Sequence, residues 1–219
     1  KGDHEVTSSW RDPNGYEVET TLGFTCSNIT FIGQGIGETT VLGGIGIHTA
    51  QNITLKQLTV TNTRGTGIQM DGAEVELVDV ATVDCRANGI RVGRTAGGPS
   101  QLVATRCEIS NNGSTGLSIG NNNNISNNVC LKNCISHHNS MSGIYVNGTG
   151  VVNIHGDATA IHSNGHHGIF ASRSTKVLIH LPSNHNTSYH NKGEDRFTRE
   201  GGTITNVEDH QEDEQTLFE

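Results

Sequence analysis

One tetrapeptide, a glycine followed by an apolar, a variable and an apolar residue, recurs along the chain and constrains its fold more than any other feature. The six copies begin at Gly44, Gly67, Gly89, Gly116, Gly143 and Gly168. Successive glycines are 23, 22, 27, 27 and 25 residues apart. Self-similarity at a period of roughly 20 to 50 residues is typical of a solenoid, in which each repeat forms one turn. The chain is therefore predicted to stack its repeats into a rod.

A second apolar pattern lies between the glycine tetrapeptides. Two alternating apolar residues, a gap of two and further apolar residues occur in 53–60, 75–80 and 102–109. Alternation indicates a strand with one buried face, and the gap indicates a bend. Strands of successive turns then pair in parallel at about 4.8 Å. Residues one repeat apart are therefore predicted to lie directly above one another.

Polar turn residues stand four or five positions before five of the glycines: Asn62, Asp84, Asn112, Asn139 and Asn164. A glycine at such a corner indicates a positive φ or a close backbone approach. Asparagine tolerates the left-handed conformation, and stacked amides can hydrogen-bond from turn to turn. Because a buried amide without a partner costs about 1 to 3 kcal/mol, a continuous column of polar residues is expected here.

The composition agrees with a turn-rich β structure. The 219 residues include 28 glycines but only 16% charged residues, whereas disordered chains usually replace apolar residues with charge. The net charge of -8 argues against a nucleic-acid or membrane-surface partner. No run of about 18 apolar residues is present, so we expect a soluble protein of undetermined compartment. The five cysteines lack CxxC spacing, which argues against a disulfide framework and a zinc knuckle.

The N-x-x-x-G-[IL]-x-[VI] repeat and the segment NITFIGQGIGETTVLGG, residues 28–44, resemble right-handed parallel β-helix proteins of the pectate-lyase-like superfamily. The chain is most similar to the short-repeat modules of carbohydrate-active enzymes and of some F-box substrate receptors. The resemblance implies an all-β, single-stranded right-handed parallel β-helix (solenoid) over residues 1–207. The six tetrapeptides, with a partial turn at each end, predict roughly eight coils. An acidic tail, residues 208–219, would cap the open end or be mobile. The repeat itself encodes corners and core and carries no chemistry.

Enzymes of this superfamily usually act on the outer face of the strand that follows the corner glycine. The resemblance thus makes that face the candidate ligand-binding strip, with Gln69, Asp71, Arg91, Tyr145, Asn147 and Phe170. Tyr145 and Phe170 would stack as two aromatics suited to a sugar face or an apolar side chain. Arg91 with Asp71 is the candidate catalytic pair. The alternative is a ladder of cross-strand pairs that only stabilises the sheet.

Catalytic signatures of well-known relatives are missing from the sequence. The NTD, DD, GHG and RIK motifs of polygalacturonase-like hydrolases are absent, and DPNG at Asp12 lacks the histidine of the alginate-epimerase DPH motif. The leading hypothesis is a non-catalytic recognition or scaffold module that binds a glycan or a protein ligand without a cofactor. The first alternative is a calcium-dependent lyase or epimerase of uronate polymers. The second is a structural viral or surface rod, for which an oligomer is expected.

Histidines and carboxylates offer candidate metal ligands. His155 and His180 stand 25 residues apart, in VNIH and VLIH, and are predicted to stack on the outside of adjacent turns. They could begin a zinc or copper site, although a third and a fourth ligand are not evident. The acidic stretch from Asp71 to Asp84 offers candidate carboxylate ligands for calcium, which needs six or more converging oxygens. On alternation, Glu74 and Glu76 lie on the outer face.

Two further segments depart from simple repetition. In SNGHHGIFAS, His166 and His167 align with Ser114 and Thr115 of an earlier turn and are predicted to be solvated turn residues. The turn-like SYHN at 188–191 is not followed by G-I-x-V. An excursion is therefore predicted before a last strand at Thr203–Val207, and it gathers His185, His190, Asp195 and Arg196.

Overall fold

The protein is a column of stacked β-strand turns. The computed structural model describes residues 10–11, 17–18, 22–93, 98–120, 126–181 and 187–208, and these contain strands and turns but no helix. In chain order the strands are β1 (Trp10–Arg11), β2 (Glu17–Val18), β3 (Leu22–Phe24), β4 (Ile29–Ile32), β5 (Thr40–Leu42), β6 (Ile45–His48), β7 (Ile53–Thr61), β8 (Ile68–Asp71), β9 (Glu74–Val83), β10 (Ile90–Val92), β11 (Gln101–Thr105), β12 (Glu108–Ser110), β13 (Leu117–Gly120), β14 (Asn128–Lys132), β15 (Ile135–His137), β16 (Ile144–Asn147), β17 (Val151–His155), β18 (Ala160–His162), β19 (Ile169–Ser172), β20 (Lys176–Leu181), β21 (Ser188–Tyr189), β22 (Arg196–Arg199) and β23 (Thr203–Glu208).

Three columns of parallel strands form the faces of the solenoid. Face A contains β3, β6, β8, β10, β13, β16, β19 and β22. Face B contains β4, the first halves of β7 and β9, and then β11, β14, β17, β20 and β23. Face C contains β5, the second halves of β7 and β9, and then β12, β15, β18 and β21. Across the described ranges the eight strands of face A are separated by seven complete turns, slightly fewer than the predicted eight coils. Strands β1 and β2 form a separate antiparallel pair.

The register of the turns is the one that the repeat predicts. Ile68, Ile90, Leu117, Ile144 and Ile169 occupy one row of face A, each paired with the next. Every member of this row is at most 1% exposed. Full burial of such a side chain stabilises the fold by about 1.5 to 3 kcal/mol. The confirmed register fixes which side chains point outward on each face.

The two-residue gap in the second apolar pattern is a bend between faces B and C, as predicted. The second residue of the gap has a left-handed backbone in each of four successive turns: Gln57, Asp79, Arg106 and Asn133, with φ between 51° and 55°. A left-handed residue interrupts the alternation of a strand and redirects the chain. Because of this bend, one apolar pattern in the sequence supplies buried side chains from both face B and face C to the same core.

A buried column of asparagines follows the corner between faces C and A. The Nδ2 atoms of Asn112, Asn139 and Asn164 donate to the Oδ1 of the asparagine in the next turn, at 2.8, 3.0 and 2.9 Å. Each Nδ2 also donates to a backbone carbonyl, as Asn139 does to Ile109 at 3.1 Å. The stacked amides predicted from the sequence are confirmed, and Asn191 extends the column. This column is called the asparagine ladder below.

The assignment of Asp84 to this column is wrong. Asp84 is an exposed residue with a φ of 54°, and the neighbouring Cys85 is buried and occupies the ladder position. Its backbone N–H donates to Asn112 Oδ1 at 3.0 Å. Because the thiol cannot extend the chain of amides, the Asn62 side chain instead donates within its own turn, to Thr66 O at 2.8 Å. Burial raises the pKa of the Cys85 thiol to about 11, and all five cysteines of the chain are free.

The repeated glycines make room for the asparagine ladder. A Cβ at Gly116 would lie 2.7 Å from Asn139 Nδ2 and 2.6 Å from the carbonyl oxygen of Gly143. A Cβ at Gly143 would likewise lie 2.7 Å from Asn164 Nδ2. Distances this short are not tolerated by a side chain in a close-packed interior. Close approach of adjacent turns therefore explains the glycine at these positions.

The segment after SYHN is a regular turn, so the predicted excursion is wrong. Strand β22 pairs with β19 in the standard register, which places Arg196 beside Ile169. Asp195 takes the place of the corner glycine, and its Oδ1 accepts hydrogen bonds from Asn191 Nδ2 at 2.8 Å and from Asn191 N at 3.1 Å. Within the described ranges no strand stacks beyond β22 on face A, so a side chain at this corner meets no further turn. Asp195 therefore terminates the asparagine ladder.

The C-terminal boundary also differs slightly from the prediction. Strand β23 includes Glu208, which the sequence assigned to the acidic tail, and pairs with β20 along its whole length. The remainder of the tail, residues 209–219, lies outside the described residues, as does His185. His190 is an exposed turn residue with a φ of 55°.

We expect the Asn139→Ala variant to lose about 3 kcal/mol of unfolding free energy, because two buried donors lose their acceptor. These donors are Asn112 Nδ2 and Asn112 N, at 2.8 and 3.2 Å from Asn139 Oδ1. Urea denaturation of the wild type and of the Asn139→Ala variant measures the loss of unfolding free energy. The matched control is Ser140→Ala at the adjacent exposed position, which should change stability by less than about 0.5 kcal/mol. Equal stabilities of the two variants would contradict a stabilising ladder.

Replacement of Asp195 tests the end of the ladder. The Asp195→Ala variant should lose about 2 kcal/mol, because the carboxylate accepts two hydrogen bonds from Asn191. Asp195→Asn keeps an oxygen acceptor and should lose less than about half of that amount. Thermal denaturation of the three proteins ranks them. An Asn variant as unstable as the Ala variant would show that the acceptor oxygen is unimportant.

Candidate functional site

The outer row of face A forms a continuous strip along the solenoid. In register from one turn to the next it contains Gln69, Arg91, Ser118, Tyr145, Phe170 and Phe197. The predicted pairing of Tyr145 with Phe170 is confirmed. A second row two positions further along the strands includes Asp71, Gly120, Asn147 and Ser172. These two rows are called the face A strip below.

The C-terminal end of the face A strip is aromatic. The rings of Tyr145 and Phe170 lie 5.0 Å apart at 64°, and those of Phe170 and Phe197 lie 4.9 Å apart at 72°. Edge-to-face pairs of this kind stabilise by about 0.5 to 1.5 kcal/mol beyond their buried area. His167 stacks on Phe197 with ring centres 4.2 Å apart and planes 5° from parallel. The aromatic side chains therefore form one packed cluster that spans three turns.

His167 is a structural residue, and its prediction as a solvated turn residue is wrong, whereas His166 is exposed as expected. The imidazole of His167 is buried, and its Nδ1 accepts the backbone N–H of Glu194 at 3.0 Å. Thr115 and Ser142, which precede the corner glycine in earlier turns, are buried too. Burial lowers the pKa of His167, as does the nearby His166, while contacts with Glu194 oppose the shift.

Sequence reasoning missed Phe197 because two repeat positions in its turn are atypical. Asp195 stands where earlier turns have glycine, and Arg196 stands where they have isoleucine or leucine. The remaining signal was the spacing, since Asn191 precedes Asp195 by four positions, as Asn164 precedes Gly168. Spacing without the glycine was too weak to identify the turn.

At the polar end of the strip, the Asp71 carboxylate contacts residues other than Arg91. The Asp71 carboxylate is buried, lies 3.5 Å from His48 Nδ1 and accepts a hydrogen bond from Gln69 Nε2 at 3.2 Å. A side chain at Gly93 would overlap this carboxylate, so glycine is required beside it. Arg91 is exposed and pairs in register with Gln69, and no ion pair in the described part of the chain joins it to Asp71.

The centre of the strip contains a shallow notch. A Cβ built at Gly120 would meet no atom of the described residues within 4 Å, so the space above this residue is open with respect to them. Asn147 pairs directly with Gly120, and Tyr145 lies two positions earlier on the same strand. The Oδ1 atom of Asn147 is buried and has no hydrogen-bond partner among the residues that the structure describes. Such an acceptor costs about 1 to 3 kcal/mol and can be satisfied by a ligand.

The acidic residues between Asp71 and Asp84 diverge onto different faces. Glu74 and Glu76 are exposed on face B, as predicted, and Glu76 lies 3.8 Å from Lys56 Nζ. Asp79, at the bend between faces B and C, accepts two hydrogen bonds from Arg106, at 2.7 and 2.8 Å. These carboxylates therefore do not provide the converging oxygens that calcium needs.

His155 and His180 stack on face B as predicted. Their ring centres are 3.9 Å apart with planes 19° from parallel, and His180 Nε2 is hydrogen-bonded to Asn153 Oδ1 at 3.0 Å. Nitrogen lone pairs lie in the ring planes, so cofacial rings direct them side by side and not toward one point. Among the residues described, no group of three or more His, Cys, Asp and Glu side chains is arranged to hold a metal.

Comparison with known families agrees with this architecture. A family profile described as a right-handed β-helix region matches residues 43–209. The chain belongs to the right-handed β-helix family. No curated protein and no solved structure matches this β-helix significantly. In the part of the β-helix that the structure describes, no helix has the length and apolarity needed to cross a membrane.

The buried imidazole of His167 makes the stability of this β-helix sensitive to acid. Its pKa is lowered in the folded protein, so the unfolded chain binds the proton more tightly below about pH 6.5. The free energy of unfolding should therefore fall as the pH decreases below that value. The pKa of His162 is also lowered and acts in the same direction.

The His167→Gln variant should show a weaker pH dependence than the wild type when urea midpoints are compared between pH 7.5 and pH 5. Glutamine keeps an acceptor for Glu194 N but does not titrate. His166→Gln is the control and should keep most of the dependence, because burial is the larger cause of the shift at His167. A His167→Gln slope equal to that of the wild type would refute this assignment.

Proposed function

We propose that this β-helix is a non-catalytic recognition module that binds a glycan along the face A strip. The observation that carries the proposal is the buried, unpaired Oδ1 of Asn147 beside the open notch at Gly120 and next to Tyr145. An acceptor held at the edge of a notch is suited to a hydroxyl donor of a bound sugar. Small numbers of placed polar groups beside aromatic surface are typical of ligand sites.

The distribution of side chains along the strip supports a sugar chain over a single small molecule. Polar residues line one half and aromatic residues the other, and successive turns repeat at about 4.8 Å. A sugar ring offers both an apolar C–H face and hydroxyl groups, which match Tyr145 and Asn147 respectively. Arg91 and Ser118 supply further donors on the adjoining turns.

A binding role agrees better with the surroundings of Asp71 than a catalytic one. In a lyase or epimerase that uses Arg91 as the base and Asp71 as the metal-binding carboxylate, the two side chains must meet at the substrate. The Asp71 carboxylate instead contacts His48 and Gln69. If the strip instead binds a protein ligand, or if the protein is a rod-like oligomer, no oligosaccharide should bind in the experiment below.

The experiment is a screen of neutral and uronate oligosaccharides by ligand-observed NMR, followed by calorimetry on the hits. We expect Asn147→Ala and Tyr145→Ala each to weaken glycan binding at least tenfold, because one removes the acceptor and the other the apolar surface. Tyr189→Ala on face C is the control and should bind as the wild type does. Absence of glycan binding, or unchanged affinity in both face A variants, would contradict the proposal.

The same samples test the catalytic alternative. Uronate polymers are incubated with the protein with and without calcium, and unsaturated or epimerised products are sought by absorbance and NMR. We expect no product. Product formation that Arg91→Ala abolishes would replace the recognition proposal with the lyase or epimerase.

A further inference from the structure

Face C carries a group of histidines that the face A strip does not involve. His137 and His162 occupy successive turns in register, and Tyr189 follows in the next turn. His138 adjoins His137, and the two Nδ1 atoms are 2.7 Å apart. This separation is that of a hydrogen bond between the two rings, and it is also short enough for one metal ion to reach both nitrogens.

The backbone explains why neighbouring residues bring their rings together. Consecutive side chains of a strand point to opposite faces, so His137 and His138 would diverge if β15 continued through both residues. The strand ends at His137, and His138 has a φ of 54°, in the left-handed region. This change of backbone conformation turns the second ring to lie against the first, with centres 5.0 Å apart.

A carboxylate orients the first ring from its other side. His137 Nε2 lies 3.3 Å from Glu108 Oε1, which also accepts a hydrogen bond from Ser110 Oγ at 2.8 Å. A proton held on Nε2 by Glu108 leaves the lone pair of His137 on Nδ1. Histidines that bind metals commonly donate their second N–H to a carboxylate in this way, which fixes the tautomer and the ring direction.

Stacking fixes the plane of the same ring. The His137 ring is 4° from parallel with that of His162 at 5.1 Å, and His162 is 12° from parallel with Tyr189 at 5.0 Å. The His137 side chain is only 22% exposed, so its ring is held by its neighbours and has little freedom to lose on binding. The direction of His137 Nδ1 is therefore set before any ion arrives.

We propose that His137 and His138 form a two-nitrogen chelate for Cu²⁺ or Ni²⁺ on face C. With metal–nitrogen bonds of about 2.0 to 2.1 Å, a right angle separates two nitrogens by about 2.8 to 3.0 Å, and a tetrahedral angle by about 3.3 to 3.4 Å. The Nδ1 atoms, at 2.7 Å, are nearer the right angle that tetragonal Cu²⁺ and Ni²⁺ prefer. The described residues supply no third His, Cys, Asp or Glu ligand, so water completes the coordination.

Binding requires no net loss of a proton. With the His137 proton on Nε2 beside Glu108, the hydrogen bond between the two Nδ1 atoms of the metal-free protein is donated by His138. When the ion binds, both Nδ1 lone pairs are coordinated and His138 carries its proton on Nε2. His138 is exposed, so that N–H can be solvated.

The test is a calorimetric titration of the full chain with Cu²⁺ at neutral pH, together with electron paramagnetic resonance at one equivalent. We expect one site of higher affinity with nitrogen hyperfine structure, and at least a tenfold loss of affinity in His137→Asn and in His138→Asn. Asparagine accepts the left-handed backbone at 138, so the second variant keeps the fold. Glu108→Gln should weaken binding about 10- to 100-fold while the nitrogen coordination remains.

The stacked pair on face B provides the matched control. His155→Asn and His180→Asn remove the same chemical groups from rings that do not converge, and should leave the higher-affinity site unchanged. Ni²⁺ should also bind this site more tightly than Zn²⁺. The proposal is overturned if both face C variants bind Cu²⁺ as the wild type does, if the face B variants abolish the site, or if Zn²⁺ binds more tightly than Ni²⁺.

Discussion

The close contact between a corner glycine and the ladder asparagine of the next turn is the constraint on which the rest of the structure depends. Backbone hydrogen bonds hold adjacent turns together, but they would allow a strand to slip by one residue and exchange its buried and exposed faces. The contact of Gly116 with Asn139, repeated at Gly143 with Asn164, opposes such a slip. Only one register places a glycine, which has no side chain, against the amide of a ladder asparagine. That amide needs both the space and a hydrogen-bond partner.

A fixed register turns the outer faces into ordered surfaces. Tyr145 and Phe170 adjoin on face A, and His137 and His162 adjoin on face C, because residues one repeat apart lie in one row. The inner rows supply the hydrophobic stabilisation, so the outer positions are free to carry other chemistry. The glycan site that we propose on face A and the metal site that we propose on face C therefore lie on one scaffold.

Departures from the repeat mark places where the surroundings of a turn change. Asp195 replaces glycine at the last turn described on face A, where no further turn requires the space and the ladder needs an acceptor. Cys85 replaces asparagine near the other end, and Asn62 then pairs within its own turn. His167 fills a buried position held by threonine and serine in earlier turns, because Phe170 and Phe197 beside it offer aromatic surfaces.

The sequence by itself determined the solenoid, its register and the inward or outward direction of most strand residues, because burial repeats with the same period as the turns. It also predicted that Tyr145 and Phe170 lie side by side in one outer row and that His155 stacks on His180. Only the tertiary structure decided that Asp71 contacts His48 and not Arg91, and that His137 and His138 converge. Such contacts depend on ring orientation and on left-handed residues at strand ends. Neither feature produces a repeating pattern in the sequence.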